Sequence, residues 1–301
     1  MDPIFRAEGH RLGEANTLQC IGELALQITE LAEARDAYDR ALVIFREEGD
    51  SLGEAAALRG IGDVALKSAD LVRAKQAHEE ALGICRSIGD RLGEAFTLQS
   101  IGDLALMSAN VAGAKHAYDA ALALDRALGE RLGEANALQR SGAIAVRYND
   151  PTAAKQLYDK ALTLYRAIIE RLGESETLRA LGVLALLQGQ GVTEPLLASR
   201  DLARTIHDPR GTLISEALLA IADPTPAAPA ALDTLADRFS SLALPWETLL
   251  TRAAARLRAN DVPAAATLLR ERPETVILAQ ALAHATPEEG SRLLLPIFPT
   301  F

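Results

Sequence analysis

Apolar residues in this chain recur at helical spacing, in blocks that repeat every forty residues. Between positions 91 and 130, Leu92, Ala95, Leu98, Ile101, Gly102 and Ala105 share one stripe; after a break, Ala114, Tyr118, Ala121 and Leu122 share a second. A stripe of that period buries one face of an α-helix, so each block predicts a pair of antiparallel helices. The break inside this block is Ser108-Ala109-Asn110, and its counterparts carry Asp70 and Asp150-Pro151, residues that start helices by capping the free N–H groups or by presetting φ. Between blocks, Gly49-Asp50 and Gly89-Asp90 put a glycine where one helix must stop and an aspartate where the next begins. Arg11-Leu12-Gly13-Glu14-Ala15 opens each block and returns as Ser51 to Ala55, Arg91 to Ala95, Arg131 to Ala135 and Arg171 to Ser175.

A fixed period of this size predicts a solenoid, in which each block buries its apolar face only by stacking on its neighbours. The expected fold is all-α, a right-handed α-solenoid of stacked helix pairs, with regular repeats over 11–190. Residues 4–10 align with 44–50, the end of a block, so residues 1–10 read as a partial repeat or a cap. That leaves a helix face open to capping or to pairing with a second copy. After Gly182 the pattern weakens. Gln188 to Gly191 reads as a joint, helices are expected over 193–206 and 212–221, and a proline-alanine linker covers 222–229. Further helices are expected near 230–243, 246–259, 262–271, 273–284 and 287–296, as degenerate repeats ending in a cap.

Gly22, Gly62, Gly102, Gly142 and Gly182 lie inside the first helix of each block, where glycine costs about 1 kcal/mol relative to alanine unless close packing requires it. The second helices carry Ala34, Tyr38 and Ala41, then Ala74, His78 and Ala81, then Ala114, Tyr118 and Ala121, then Ala154, Tyr158 and Ala161. Small residues flanking an aromatic on one face resemble the tetratricopeptide repeat, in a forty-residue form covering about residues 4 to 190. Two departures stand out. The aromatic that often opens the family's first helix is Leu18, Leu58, Leu98, Leu138 or Leu178, and the proline that commonly ends its second helix is Arg46, Arg86, Arg126 or Arg166. The second helix is therefore expected to continue by more than a turn. These arginines, with Glu14, Glu54, Glu94, Glu134 and Glu174, are placed for an ion-pair ladder; the alternative is a solvated charge at each site, worth little singly.

Composition narrows the function classes. A net charge of −10 opposes nucleic acid, which needs a basic stripe. No stretch reaches the roughly 18 uninterrupted apolar residues of a membrane span. The first residues hold no basic region followed by an apolar run, and the two cysteines, Cys20 and Cys85, occupy unlike places in their repeats. A reducing cytoplasm is the expectation. Catalytic and cofactor signatures are missing: His10, His78, His116, His207 and His284 are scattered, and no H-E-x-x-H, C-x-x-C, G-x-S-x-G or phosphate-loop spacing occurs. No enzyme, cofactor or metal is expected. His78 replaces the repeat's aromatic and reads as a core residue, Cys20 as a bystander thiol, and Trp246 as packing across a helix end.

Residues that recur in every repeat read as scaffold, and those that vary at a fixed place read as recognition. In tetratricopeptide proteins the first helices line a concave surface that holds protein or peptide partners. Carried over by register, the resemblance implies a groove of Asn16, Gln19, Cys20 and Glu23; Ala56, Arg59, Asp63 and Lys67; Phe96, Gln99, Asp103 and Met107; Asn136, Gln139, Arg140 and Arg147; and Glu176 and Arg179. Glu23, Asp63 and Asp103 make its early part acidic; Arg140, Arg147 and Arg179 make its later part basic. Such a groove suits a peptide of mixed charge. The carboxylates sit where the family's clamp for acidic chaperone tails has asparagine, which disfavours that ligand. The alternative function is the sensor segment of a larger signalling ATPase or transcription regulator.

Overall fold

A computed structural model describes residues 11–28, 30–190, 193–223, 225, 227–242, 244–270, 280, 282 and 285–294. The partial repeat at 1–10, most of the helix expected over 273–284, and the side chain of Trp246 lie outside them. Every regular element among the described residues is an α-helix, and consecutive helices pair: the chain is an all-α solenoid. Its residues form two compact bodies, one up to Ile144 and one from Ala145.

The first body contains α1 (Arg11–Gln27), α2 (Leu31–Glu48), α3 (Ser51–Lys67), α4 (Leu71–Ile88), α5 (Arg91–Met107), α6 (Val111–Leu128) and most of α7 (Arg131–Arg147). The corner between repeats works as its residues dictate. Gly49 takes φ 72°, Asp50 N–H donates to the Phe45 carbonyl at 2.9 Å, and the Asp50 carboxylate accepts from Leu52 and Gly53 N–H at 3.1 and 3.0 Å. One glycine thus ends α2 and one aspartate starts α3. Each second helix runs two residues past its arginine, to Glu48, Ile88 or Leu128. That is less than the expected turn, because the corner glycine in left-handed conformation stops it.

Close approach explains the glycines inside the first helices. A Cβ on Gly102 would lie 2.6 Å from the Tyr118 ring, and one on Gly62 would lie 2.4 Å from the His78 ring. The glycine of the recurring Leu-Gly-Glu segment has the same role at the corner: a Cβ on Gly53 would meet the Phe45 ring at 2.3 Å. The ion-pair ladder forms. Nε of Arg46, Arg86 and Arg126 donates to Glu54, Glu94 and Glu134 at 2.7, 2.8 and 2.7 Å, tying each second helix to the next repeat. Buried side chains gather in small clusters, such as Tyr38 with Ile61 and Val64, or Tyr118 with Ile144.

The second body contains α8 (Pro151–Ile168), α9 (Arg171–Leu187), α10 (Glu194–Thr205), α11 (Pro209–Ala222), α12 (Ala228–Ser241), α13 (Pro245–Arg258), α14 (Val262–Arg270) and α15 (Pro287–Leu294). The α8–α9 corner repeats the ladder, Arg166 to Glu174 at 2.8 Å. From α10 onward helices shorten to between 8 and 14 residues, and the alanine-rich pattern gives way to one continuous core around Leu196, Leu213, Leu218, Leu232, Phe239 and Leu250.

Candidate functional site

On the first helices of the first body, four register positions, those of Asn16, Gln19, Cys20 and Glu23 in α1, fall on one face. The sequence predicts that this face holds partners, and the structure shows what several of its side chains do. At the Gln19 position, Gln19 donates to Glu23 at 3.0 Å and Gln99 donates to Asp125 at 3.0 Å and to the Gly133 carbonyl at 3.3 Å. Arg59 holds its guanidinium 5.5 Å from the centre of the Phe96 ring, a cation–π arrangement. Arg59 makes no hydrogen bond or ion pair with any described residue. Asn136 and Gln139 are half-buried on α7, and Asn16 is exposed on α1.

The carboxylates are less available than their sequence suggests. Asp103 accepts from the Tyr118 hydroxyl at 2.6 Å and lies 3.4 Å from Arg140 Nε in the next repeat. Asp63 accepts from the Ser100 hydroxyl, also in the next repeat, at 3.0 Å. Its carboxylate stands 3.6 Å from His78 Nε2, too far for a hydrogen bond, and neither ring nitrogen of His78 has a partner. Burial raises Asp63 to about 6, offset by the Ser100 hydrogen bond and by Arg59; burial and then Arg59 lower His78 to about 4. At neutral pH a neutral imidazole therefore faces a carboxylate, and the contact is not an ion pair. His78 is fully buried, as a core residue should be.

The separation into an acidic and a basic stretch needs two corrections. Arg140 is paired with Asp103 inside the first body, so opposite charges of adjacent repeats meet each other. Arg179, in the second body, is only 7% exposed, with its Nε unpartnered. Its guanidinium lies 3.4 Å from where a Cβ on Gly211 would sit. Gly211 is in register with the corner glycines, which elsewhere face Phe45, Cys85, Asp125 or Tyr165; the equivalent residue here is the small Ala203. Arg179 fills that layer and is not a surface cation. Arg147 is exposed on the last turn of α7.

Sequence reasoning put Arg140 on this face without its role as an anchor of Asp103, and missed Ser100, which anchors Asp63: Ser100 and Arg140 stand at one register position, one repeat beyond Asp63 and Asp103. It also missed Asp125, fully buried where other repeats carry Phe45 or Tyr165. A repeat-to-repeat alignment reveals both as polar residues at fixed places. Among the described residues, no group of three or more His, Cys, Asp or Glu is placed to hold a metal ion, and no helix is long and apolar enough to cross a membrane.

Stacked helix pairs with one varied, polar helix face define a protein-interaction scaffold. Residues 13–87 match the model of the tetratricopeptide repeat family. Among solved structures, the apo form of RapI is similar in fold, with a TM-score of 0.59 over 87% of this chain and 86% of that one, at 11% sequence identity. No curated protein matches the chain in sequence.

Proposed function

We propose that the first-helix face of the first body holds a peptide or protein segment through amide and charge-assisted hydrogen bonds, without chemistry of its own. The observation that carries this reading is Arg59. A guanidinium laid on the Phe96 ring is preorganised, its five N–H donors are fixed in a plane, and no described residue uses them. The neighbouring carboxylates Asp63 and Asp103 are already engaged, so the open capacity at this place is for an acceptor on a partner. Asn16 is exposed on the same face and supplies an amide there.

Affinity capture from the source cell's lysate tests this, comparing the wild-type chain with Arg59→Glu and Phe96→Ala and checking helicity by circular dichroism. A partner retained by the wild type and lost with Arg59→Glu supports the reading. If both variants retain the same partners as the wild type, or the wild type retains none, the face is not the binding site.

A further inference from the structure

Each first helix begins with a leucine that the core does not use. Leu12, Leu52, Leu92 and Leu132 are the second residues of α1, α3, α5 and α7, and each is between 40 and 59% exposed. Single exposed leucines are ordinary on a protein surface; the same exposed leucine in repeat after repeat is not. The repeats have diverged elsewhere on this face, as Cys20, Gly60, Ser100 and Arg140 show at one register position. Common descent of the repeats therefore does not account for the leucines.

Helical register places the leucine one turn before the groove-facing residues and on their side of the helix. The leucines are the N-terminal rim of that face. At two corners the rim widens: Ile88 ends α4 and Leu128 ends α6, and both are exposed. At the same two corners Arg91 and Arg131 precede the rim leucines, exposed and without a hydrogen bond or ion pair to any described residue. Arg11, by contrast, is held by Glu47. The result is an apolar row with unneutralised cations beside it.

Spacing selects the shape of what fits. The helices α1, α3 and α5 contact one another in sequence, and packed helix axes lie about 8–10 Å apart, so the leucines recur at about that interval. An α-helix laid across them returns the same face after seven residues, a rise of about 10.5 Å. A β-strand returns its face every two residues, about 6.6 Å, and falls out of step. We propose that the rim takes an acidic amphipathic α-helix, with apolar residues at heptad spacing on the leucines and carboxylates on Arg91 and Arg131. This names a partner class for the face described above and rests on the reading that the face binds a partner.

The test is fluorescence anisotropy of the full chain with a labelled designed helix of about 21 residues, some 30 Å long, with leucine at a and d and glutamate at e and g. Two control peptides have the same composition in scrambled order, and lysine in place of glutamate. Two variant chains carry Leu92→Glu with Leu132→Glu, and Arg91→Glu with Arg131→Glu; all four sites are exposed, so circular dichroism should not change. The acidic heptad peptide is expected to bind, with about tenfold weaker binding for each control peptide and each variant chain. Absence of binding, equal binding of the scrambled peptide, or unchanged binding by both variants overturns the proposal. The Arg59→Glu capture result stands apart from that outcome, since it requires no helical partner. Sedimentation of the chain alone completes the test: a dimer that Leu92→Glu with Leu132→Glu dissolves would assign the rim to a second copy and overturn the proposal.

Discussion

The strict repeats of the first body and the helices after α9 solve one problem in two ways. In the first body, alanines and glycines set against a few rings such as Tyr38, Phe45 and Tyr118 bring backbones close, and buried residues divide into small clusters such as Ala65, Ala74 and Leu104. After α9, larger side chains take over and merge into one cluster from Val183 to Leu294. Close approach of backbones demands the same small residue in every repeat, so it produces a sequence period. A core of Leu, Ile and Phe tolerates exchange among side chains of similar volume and leaves none. Periodicity is therefore a signature of tight backbone packing more than of the solenoid as such.

Removing a large side chain should separate the two modes most strongly. Phe239→Ala, in the middle of the merged cluster and fully buried, is expected to cost about 4 kcal/mol. Hydrogen exchange should show α11, α12 and α13 losing protection together. Adding a methyl group attacks the other mode. Gly102→Ala would drive a Cβ to 2.6 Å from the Tyr118 ring, and is expected to cost about 2–3 kcal/mol in denaturant unfolding, with lost protection centred on α5 and α6. Protection lost evenly along the chain in both variants would erase the distinction.

The sequence discloses these two modes unequally. Helix pairs and corners could be read directly, because Gly49-Asp50 and the internal glycines are local or strictly periodic; the Arg46 to Glu54 spacing placed a ladder without telling it from solvated charges. The tail helices were also legible, to within a few residues, from proline and aspartate starts such as Asp208-Pro209. The candidate site was read less well. Register put Arg59, Phe96 and Asp103 on one helix face, but it could not show that Arg140 neutralises Asp103 or that Ala203 leaves space for Arg179. Those outcomes depend on contacts between repeats, which a pattern within one repeat does not contain. The rim leucines were in plain view and passed as scaffold, because recurrence alone does not tell a buried residue from an exposed one.

Asp125 offers a sharper test of the periodic core, since it puts a carboxyl where other repeats bury an aromatic or a thiol. Burial raises it to about 6, with Glu130 and Glu134 adding, against the hydrogen bond from Gln99; its Oδ1 has no partner. A raised folded pKa means that the protonated form is the one the fold prefers. Stability is therefore fully present below the unfolded value of about 3.9 and is lost as pH rises through about 6. Asp125→Asn keeps an acceptor for Gln99 without the charge. It is expected to match the wild type near pH 4 and to be more stable by about 2 kcal/mol at pH 8, read as a midpoint difference that opens between those limits. A constant difference across that range would show that Asp125 does not titrate in this interval.

The smallest expected effect concerns a corner of the strict repeats that breaks the glycine rule. Gly49, Gly89 and Gly129 take φ of 72–74° at the ends of α2, α4 and α6, but Ile169 occupies the same place after α8 at φ 59°. A β-branched residue in the left-handed region costs about 1–2 kcal/mol, while glycine gives back part of that gain through its greater freedom in the unfolded chain. Ile169 is 70% exposed, so replacing it removes little packing. Ile169→Gly is thus expected to stabilise the second body by about 1 kcal/mol, and Gly129→Ile to destabilise the first by a similar amount, both measured as shifts of the denaturant midpoint. The pair tests whether the corner acts through backbone conformation alone. If Ile169→Gly is neutral or destabilising while Gly129→Ile is costly, the isoleucine contributes contacts that its exposure does not reveal, and the fourth corner is a packed joint of another kind.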